Sequence, residues 1–217
     1  PPRSTLFPYT TLFRSKQDFF NRRNEWSLTP WNTPIRLSLS YMYELPVGIG
    51  KTWFAYQDWR RWIISGWSVS GMSSISSGEP LAIHPMFNNT GGVIQALRIN
   101  TVEGVDPRVP NQSPELWFNP EAFSHPPDFT LGSGPRTHPT LRNPSTQSND
   151  LSLAKRFSID QERAFEFTAS AFNFINLGIW NDPDTNIGTV DSPNVNAGKI
   201  IGSRGGRVIQ LGLRFSF

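Results

Sequence analysis

Every second side chain in residues 207–217 is apolar, and the residues between them are mostly small or polar. A period of two predicts a β-strand with one apolar and one polar face. Eleven residues at about 3.3 Å each span about 36 Å, and a tilt of about 45° reduces this to about 25 Å, the height of the apolar band of a membrane barrel. The apolar row consists of Ile209, Leu211, Leu213, Phe215 and Phe217. A soluble β-sandwich also contains half-buried strands, so this stretch alone does not separate the two architectures.

Four earlier stretches repeat the alternation, over residues 35–45, 66–76, 150–158 and 163–175. The pattern is weaker over 66–76, where a serine row suits a wall that faces water, and Lys155 interrupts the apolar row of 150–158. The sequence therefore predicts five strands in all. The side chains that we expect to face a membrane are Ile35, Leu37, Leu39, Tyr41, Phe165, Phe167, Ile209, Leu211, Leu213, Phe215 and Phe217. The charged side chains expected on the opposite, water-facing row are Arg36, Glu44, Glu166 and Arg214.

The lengths of the connections between these strands alternate. Counted backwards from the last strand they are long (176–206), short (160–162), long (77–149) and medium (46–65). Outer-membrane barrels place long loops outside and short turns inside, so they require this order. The fold class predicted is all-β, an antiparallel meander that forms an open segment of a large transmembrane β-barrel with long extracellular loops. Five strands leave two unpaired edges, so we expect the isolated sheet not to close.

Composition narrows the possible functions. The chain has no cysteine, so a disulfide framework or a cysteine nucleophile is excluded, and it contains no run of eighteen apolar residues that would form a transmembrane helix. A formal net charge of +3 is too small to indicate a nucleic-acid partner. Residues 46–65 combine aromatic and basic side chains, which favours a membrane-interface belt, with a soluble aromatic cluster as the alternative. The residues concerned are Trp53, Phe54, Tyr56, Trp59, Arg60, Arg61 and Trp62.

We interpret the first fifteen residues of the chain as an artefact and not as native sequence. Residues 5–15 resemble, residue for residue, the in-frame translation of a sequencing-adapter oligonucleotide. We therefore expect residues 1–15 to be an artefact and residues 16–217 to be the native segment, with further native sequence missing before it.

No combination of side chains in the sequence indicates catalysis. The three histidines stand in loop sequence without metal-ligand spacing, and they are His84, His125 and His138. Residues 182–186 open like a calcium loop, but Ile187 and Pro193 stand where that loop needs glycine and a bidentate glutamate. An Asx-rich turn is the better interpretation. We expect no enzyme activity, no cofactor and no metal.

Residues 117–123 (Trp-Phe-Asn-Pro-Glu-Ala-Phe) resemble the WFNPxAF element of TonB-dependent outer-membrane receptors of the Oar-like group, which carry a carboxypeptidase-regulatory-like amino-terminal domain. Further elements follow the order of that family. Residues 66–71 and 77–80 are similar to its GW-x-x-SG and SG-x-P pair, 141–144 and 150–155 to LRGP and DLSLxK, 169–176 to EAFNLFN, and 207–217 to the terminal R-x-I-Q element. Asn143 replaces the usual glycine, and Ser170 the usual glutamate.

This resemblance implies a ligand-gated importer in a Gram-negative outer membrane, with a barrel of about 22 strands around a plug. The implied partners are outer-membrane lipid, the plug and remaining barrel strands of the same chain, the TonB energising complex and the barrel-assembly machinery. Trp117, Phe118 and Phe123 either contact ligand at the extracellular mouth or pack the long loop. Two other functions stay open: a soluble β-sandwich binding module, directed at carbohydrate through its tryptophans, and an outer-membrane barrel of a structural kind. In a barrel the apolar rows look exposed, whereas in a sandwich they face one another.

Overall fold

The computed structural model describes residues 17–18, 20–91, 97–160 and 162–217. The segment 1–15, which we interpret as an artefact, lies outside the described residues. The chain forms two compact units. The wall unit consists of Ile35–Ser76, Ser145–Ile179 and Ser203–Phe217. The loop unit consists of the described residues within Pro1–Pro34, Ser77–Pro144 and Trp180–Gly202.

Nearly all regular structure in the described residues is β. The strands in chain order are β1 (Arg36–Glu44), β2 (Trp67–Ser76), β3 (Asn100–Thr101), β4 (Phe123–Ser124), β5 (Thr146–Ser158), β6 (Ala164–Phe172), β7 (Ile179–Trp180), β8 (Ser203–Arg204) and β9 (Val208–Ser216). The helical elements of the same residues are α1 (Arg60–Ile64) and two 3-10 turns, Arg22–Glu25 and Pro120–Ala122.

The wall unit contains one antiparallel sheet of five strands in the order β1-β2-β5-β6-β9. Strands β1 and β9 are its edges, so the sheet is open. The long connections leave from one end of the sheet, and residues 45–66 and 159–163 connect the strands at the other end, the short-connection rim. The predicted fold class, an all-β antiparallel segment that does not close, is confirmed.

The pairing register keeps each predicted apolar row on one face. One line across the sheet runs through Tyr41, Gly71, Leu151, Ala171 and Ile209. Each of these residues comes from a different strand and is apolar or lacks a polar side chain, except for the phenol of Tyr41. A slip of one residue in any pair would move that strand's whole apolar row to the other face. The alternation visible in sequence is therefore a property of the assembled sheet.

The neighbouring line has the opposite character. It runs through Met42, Ser70, Ser152, Ser170 and Gln210, which are all polar except Met42. The hydroxyl of Ser152 donates to that of Ser170 over 2.8 Å. This polar face is the one that the serine row predicted.

Two strand boundaries differ from the prediction. β5 begins at Thr146, four residues before the predicted start, because residues 146–149 pair with Ser73–Ser76 of β2 although their side chains are all polar. β6 ends at Phe172 rather than near residue 175. Asn173 adopts a φ of 50°, a left-handed conformation that ends the strand, and its side-chain oxygen accepts from the Leu177 amide over 3.0 Å.

The loop unit has a hydrophobic core of its own. Its members are Leu81, Ile83, Ile99, Phe118, Ala122, Phe123 and Leu141. The rings of Phe118 and Phe123 meet edge to face, with centroids 5.9 Å apart. Proline-rich, aperiodic sequence therefore forms a packed unit here, because a few widely spaced apolar residues converge. The short pair β3–β4 lies beside this core and contributes Phe123 to it.

Gly71 provides a test of the packing on the apolar face. A methyl group added there would lie 2.4 Å from the Tyr41 hydroxyl and 2.7 Å from the Asp150 carbonyl oxygen, whereas one added at Gly212 of β9 would meet nothing within 4 Å. We expect Gly71→Ala to lower the free energy of unfolding by about 1–3 kcal/mol, as overpacking does. Gly212→Ala, the matched control, should leave it unchanged or raise it by about 0.4–1 kcal/mol. Denaturant titration of the chain in lipid vesicles measures both, and equal effects would contradict the packing.

Candidate functional site

The apolar face of the wall unit is exposed. Leu39 near one edge is 58% exposed and Leu211 near the other is 66% exposed. In a sandwich these rows would be buried against a second sheet. The sandwich prediction is therefore wrong for the described residues. The predicted membrane-facing residues other than Phe167, which is half-buried, are all exposed: Ile35, Leu37, Leu39, Tyr41, Phe165, Ile209, Leu211, Leu213, Phe215 and Phe217. Contiguous apolar surface on this scale indicates contact with lipid or with another protein.

The polar face carries charges of alternating sign near the short-connection rim. Glu166 of β6 stands opposite Arg156 of β5 on one side and Arg214 of β9 on the other. Directly opposed residues of unlike charge attract across a ladder. Glu44, also expected on this face, instead accepts from Lys51 of the following connection at 2.9 Å. The polar face thus carries a line of charges that alternate in sign across three strands.

Three of the sequence elements that resemble the receptor family meet inside the loop unit. The indole nitrogen of Trp117 donates to the carbonyl oxygen of Arg142 over 2.7 Å. The guanidinium of Arg142 donates to the carbonyl oxygens of Gly78 at 3.0 Å and Asn32 at 2.8 Å. Gly78 leaves no room for a side chain, because an added methyl group would lie 1.8 Å from the carbonyl oxygen of Asn143. These elements therefore fasten separate chain segments together.

The three aromatic ligand candidates have a structural role in this conformation. Phe118 is 0% exposed and Phe123 is 5% exposed, both within the core of the loop unit. Trp117 is half-buried and packs against that core. Side chains without exposed surface do not contact a ligand, so the packing alternative is the one that the geometry favours.

A buried polar cluster ties residues 17–25 to the rest of the loop unit. The side-chain amide of Gln17 donates to the Gly132 carbonyl oxygen at 2.7 Å and accepts from the Arg98 amide at 2.6 Å. The guanidinium of Arg98 pairs with Glu25 at 2.5 Å, and both side chains are largely buried. Burial lowers the pKa of Arg98; the Glu25 carboxylate opposes this, and the neighbouring charge of Arg136 adds to it. Sequence reasoning missed this cluster, since Arg98 lies more than seventy positions from both Gln17 and Glu25.

A cavity of about 400 Å³ lies beside this cluster. Its lining combines apolar side chains with two guanidinium groups, and includes Ile83, His84, Met86, Arg98 and Arg136. The pairing of Arg98 with Glu25 neutralises one of the two cations internally. The lining alone does not define a ligand.

The candidate metal positions behave as turns or core positions. In the segment 182–186, the Asp184 carboxylate accepts from the Asn186 amide at 3.0 Å and from the Asn194 side chain at 2.8 Å, which is the Asx-turn geometry. Among the described residues, no group of three or more potential metal-ligating side chains comes together. The ring of His138 is buried, and its Nδ1 accepts from the backbone amide of Leu141 at 3.1 Å.

The family follows from comparison with known proteins. A family model described as an outer membrane beta barrel domain matches residues 6–210. The chain belongs to this family of outer membrane β-barrel domains. No curated protein and no solved structure gives a match. The matched range begins inside the segment that we interpret as an artefact, and that interpretation stays a prediction.

Membership of the outer membrane β-barrel family explains the two-faced sheet. In barrels of this kind an outward-facing apolar band contacts membrane lipid, and the exposed apolar face of the wall unit has this character. Within the described residues, no helix is both long and apolar enough to span a bilayer. Because the chain belongs to the outer membrane β-barrel family, the location of this domain is the outer membrane.

Neighbouring positions on β9 test which face contacts lipid. Leu211 lies on the apolar face and Gln210 on the polar face near mid-strand. Leu211→Arg should lower the free energy of unfolding in vesicles by about 2–4 kcal/mol, because arginine near the bilayer midplane is costly on the lipid side. Gln210→Arg, one residue away, should change it by no more than about 0.5 kcal/mol. Denaturant titration in phospholipid vesicles gives both values, and a larger loss at Gln210 would reverse the assignment of faces.

We expect His138 to make the loop unit sensitive to acid. Burial lowers the pKa of its imidazole, and the Asp106 carboxylate opposes this. The folded value therefore lies below the unfolded value of about 6.5, so the stabilisation is complete above that pH and is lost as the pH falls below it. Amides of the loop unit such as Leu81 should lose protection from hydrogen exchange between pH 7.5 and 5, after correction for intrinsic rates.

His138→Asn is the control for that measurement. The asparagine side-chain oxygen can still accept from the Leu141 amide, and the substitution removes the group that titrates. The loss of protection should shrink in this variant, with the amides of β2 as an internal reference. An unchanged loss would assign the acid sensitivity to another group.

Proposed function

We propose that the chain is the barrel segment of a TonB-dependent receptor, which performs ligand-gated transport across the outer membrane of a Gram-negative cell. Its role in this proposal is transport and not catalysis. The observation that carries the proposal is the ordered set of sequence elements, which begins at residue 66 and ends at residue 217. A single short element is weak support, but seven in the family's order are far more specific.

The positions of those elements support the proposal. The elements at 66–71, 150–155 and 207–217 lie in β2, β5 and β9, where they supply both faces of the wall. The elements at 77–80, 117–123 and 141–144 supply the contacts among Gly78, Trp117 and Arg142 that fasten the loop unit. Each of these six elements thus has a defined physical role, as expected for a set that specifies one architecture.

The open sheet also supports a larger assembly. Strands β1 and β9 leave edge donors and acceptors that lipid does not satisfy, so further strands of the same barrel have to pair there. With about 22 strands a barrel encloses a lumen wide enough for a plug. In this proposal the charged line through Arg156, Glu166 and Arg214 faces that lumen, and the plug contacts it. TonB acts on the plug side, and the barrel-assembly machinery inserts the wall.

Recovery of the complete reading frame by long-read sequencing of the source genome tests the proposal. The expected frame lacks residues 5–15 and extends upstream through additional barrel strands to a plug domain and a TonB-binding box. A frame that instead encodes a small barrel without a plug would contradict transport of this kind and would favour the structural outer-membrane barrel.

A further inference from the structure

Lys155 occupies an unexpected position on the apolar face. The register places it in the row of Leu151, Leu153 and Phe157, opposite Trp67 of β2 and Phe167 of β6. An ammonium group that projects from this row into hydrocarbon is destabilising, most of all near the bilayer midplane and less near the interface. Yet Lys155 is only 2% exposed, whereas Leu153 two residues before it is 37% exposed. Something in the wall unit therefore covers it.

The cover is the backbone at the end of α1. The ammonium group donates to the carbonyl oxygen of Ile63 at 2.9 Å and also to that of Ser65. It lies 5.1 Å from the ring centroid of Trp67 and 5.0 Å from that of Phe157. The last carbonyls of a helix lack intrahelical donors and carry partial negative charge, so they suit a cation. Lys155 thereby holds the connection against the lipid-facing side of the wall.

Two further contacts fix the same segment at the short-connection rim. The indole nitrogen of Trp67 donates to the Ile63 carbonyl oxygen over 2.7 Å. The amide of Arg156 donates to the carbonyl oxygen of Gly66 at 2.9 Å. Gly66 has a φ of 79°, and an added methyl group would lie 2.4 Å from the Arg156 carbonyl oxygen. The backbone of residues 63–66 is thus anchored on β5, while the side chains that precede it remain exposed.

Those exposed side chains are of the kinds that prefer a bilayer interface. Most of them are large and apolar or amphipathic, namely Trp53, Phe54, Trp59, Trp62 and Ile63. The guanidinium of Arg60 lies 4.3 Å from the ring centroid of Tyr56, and that of Arg61 lies 5.3 Å from the ring centroid of Trp62. Aromatic rings beside arginines place an apolar body next to the acyl chains and a cation near lipid phosphate.

We propose that residues 53–65, the interfacial segment, bind phospholipid at the short-connection rim, and that Lys155 positions them on the lipid-facing side of the wall. The occupant is the headgroup and upper acyl region of a phospholipid, because this segment continues the apolar face of an outer membrane barrel domain. The proposal rests on the wall contacting lipid, and not on the transport function. Its second part assigns Lys155 as a positioning residue, because its ammonium group bonds the carbonyl oxygens of Ile63 and Ser65 in place of water.

Fluorescence quenching measures the depth of the segment. The sequence contains no cysteine, so a single bimane label can be placed at Ile63→Cys without competing sites. Leu211→Cys marks the middle of the wall, and Val190→Cys, exposed in the loop unit, is the control outside it. The probes are phosphatidylcholine vesicles brominated either high on the acyl chain or near its end. We expect shallow bromines to quench the label at 63 most strongly, deep bromines the label at 211, and neither to quench the label at 190.

The position of Lys155 is tested in the same system. Lys155→Met, in the Ile63→Cys background, should reduce shallow quenching at 63 to the level of the label at 190, while the label at 211 in that background stays deeply quenched. Lys155→Arg should retain the shallow quenching, since it keeps a cation that can donate to the same carbonyls. Lys51→Met, which removes an exposed lysine from the same connection, should also retain it.

Four results would overturn the proposal. Quenching of the label at 63 by neither lipid, or chiefly by deep bromines, contradicts the interfacial position. Unchanged quenching in Lys155→Met contradicts the positioning role. Absence of deep quenching for the label at 211, in a chain that retains Lys155, overturns both parts, because the apolar face would then not contact lipid.

Discussion

The structure depends on one constraint: residues that pair across neighbouring strands of the wall must point their side chains to the same face of the sheet. Hydrocarbon on one side and water on the other assign each residue to a face, and the hydrogen-bonded register carries this assignment from strand to strand. The line through Tyr41, Gly71, Leu151, Ala171 and Ile209 shows it holding across all five strands. Exceptions such as Lys155 then need local compensation, and the carbonyls of Ile63 and Ser65 provide it.

The loop unit is stabilised in a different way from the wall unit. Its long connections contain little regular structure, so their stability comes from a small core around Phe118 and from side chains that bond backbone groups of distant segments. Arg142 and Gln17 each do this. The buried ion pair of Arg98 with Glu25 adds a further contact, and removal of either partner alone would leave an unpaired buried charge. The loop unit is therefore held together by contacts between segments that are remote in sequence.

The alternation of side chains made most of the wall predictable, because a strand between lipid and water leaves a period of two in its own sequence. It did not reveal the start of β5, where Thr146 and its polar neighbours are extended only because β2 lies beside them. The core of the loop unit and the cluster of Gln17, Glu25 and Arg98 had no local signal, since their partners are remote in sequence. Lys155 was visible as a break in the pattern, but its partners are backbone atoms, which carry no residue signature.

The most direct test of the two-sided wall is an accessibility scan along β9 in lipid vesicles. Single spin labels at each position of Val208–Ser216 would be measured for collision with oxygen, which concentrates in the bilayer, and with a water-soluble nickel complex. The account predicts two profiles with a period of two residues and opposite phase, with oxygen highest at Ile209, Leu211, Leu213 and Phe215. Profiles in the same phase, or without a two-residue period, would contradict it.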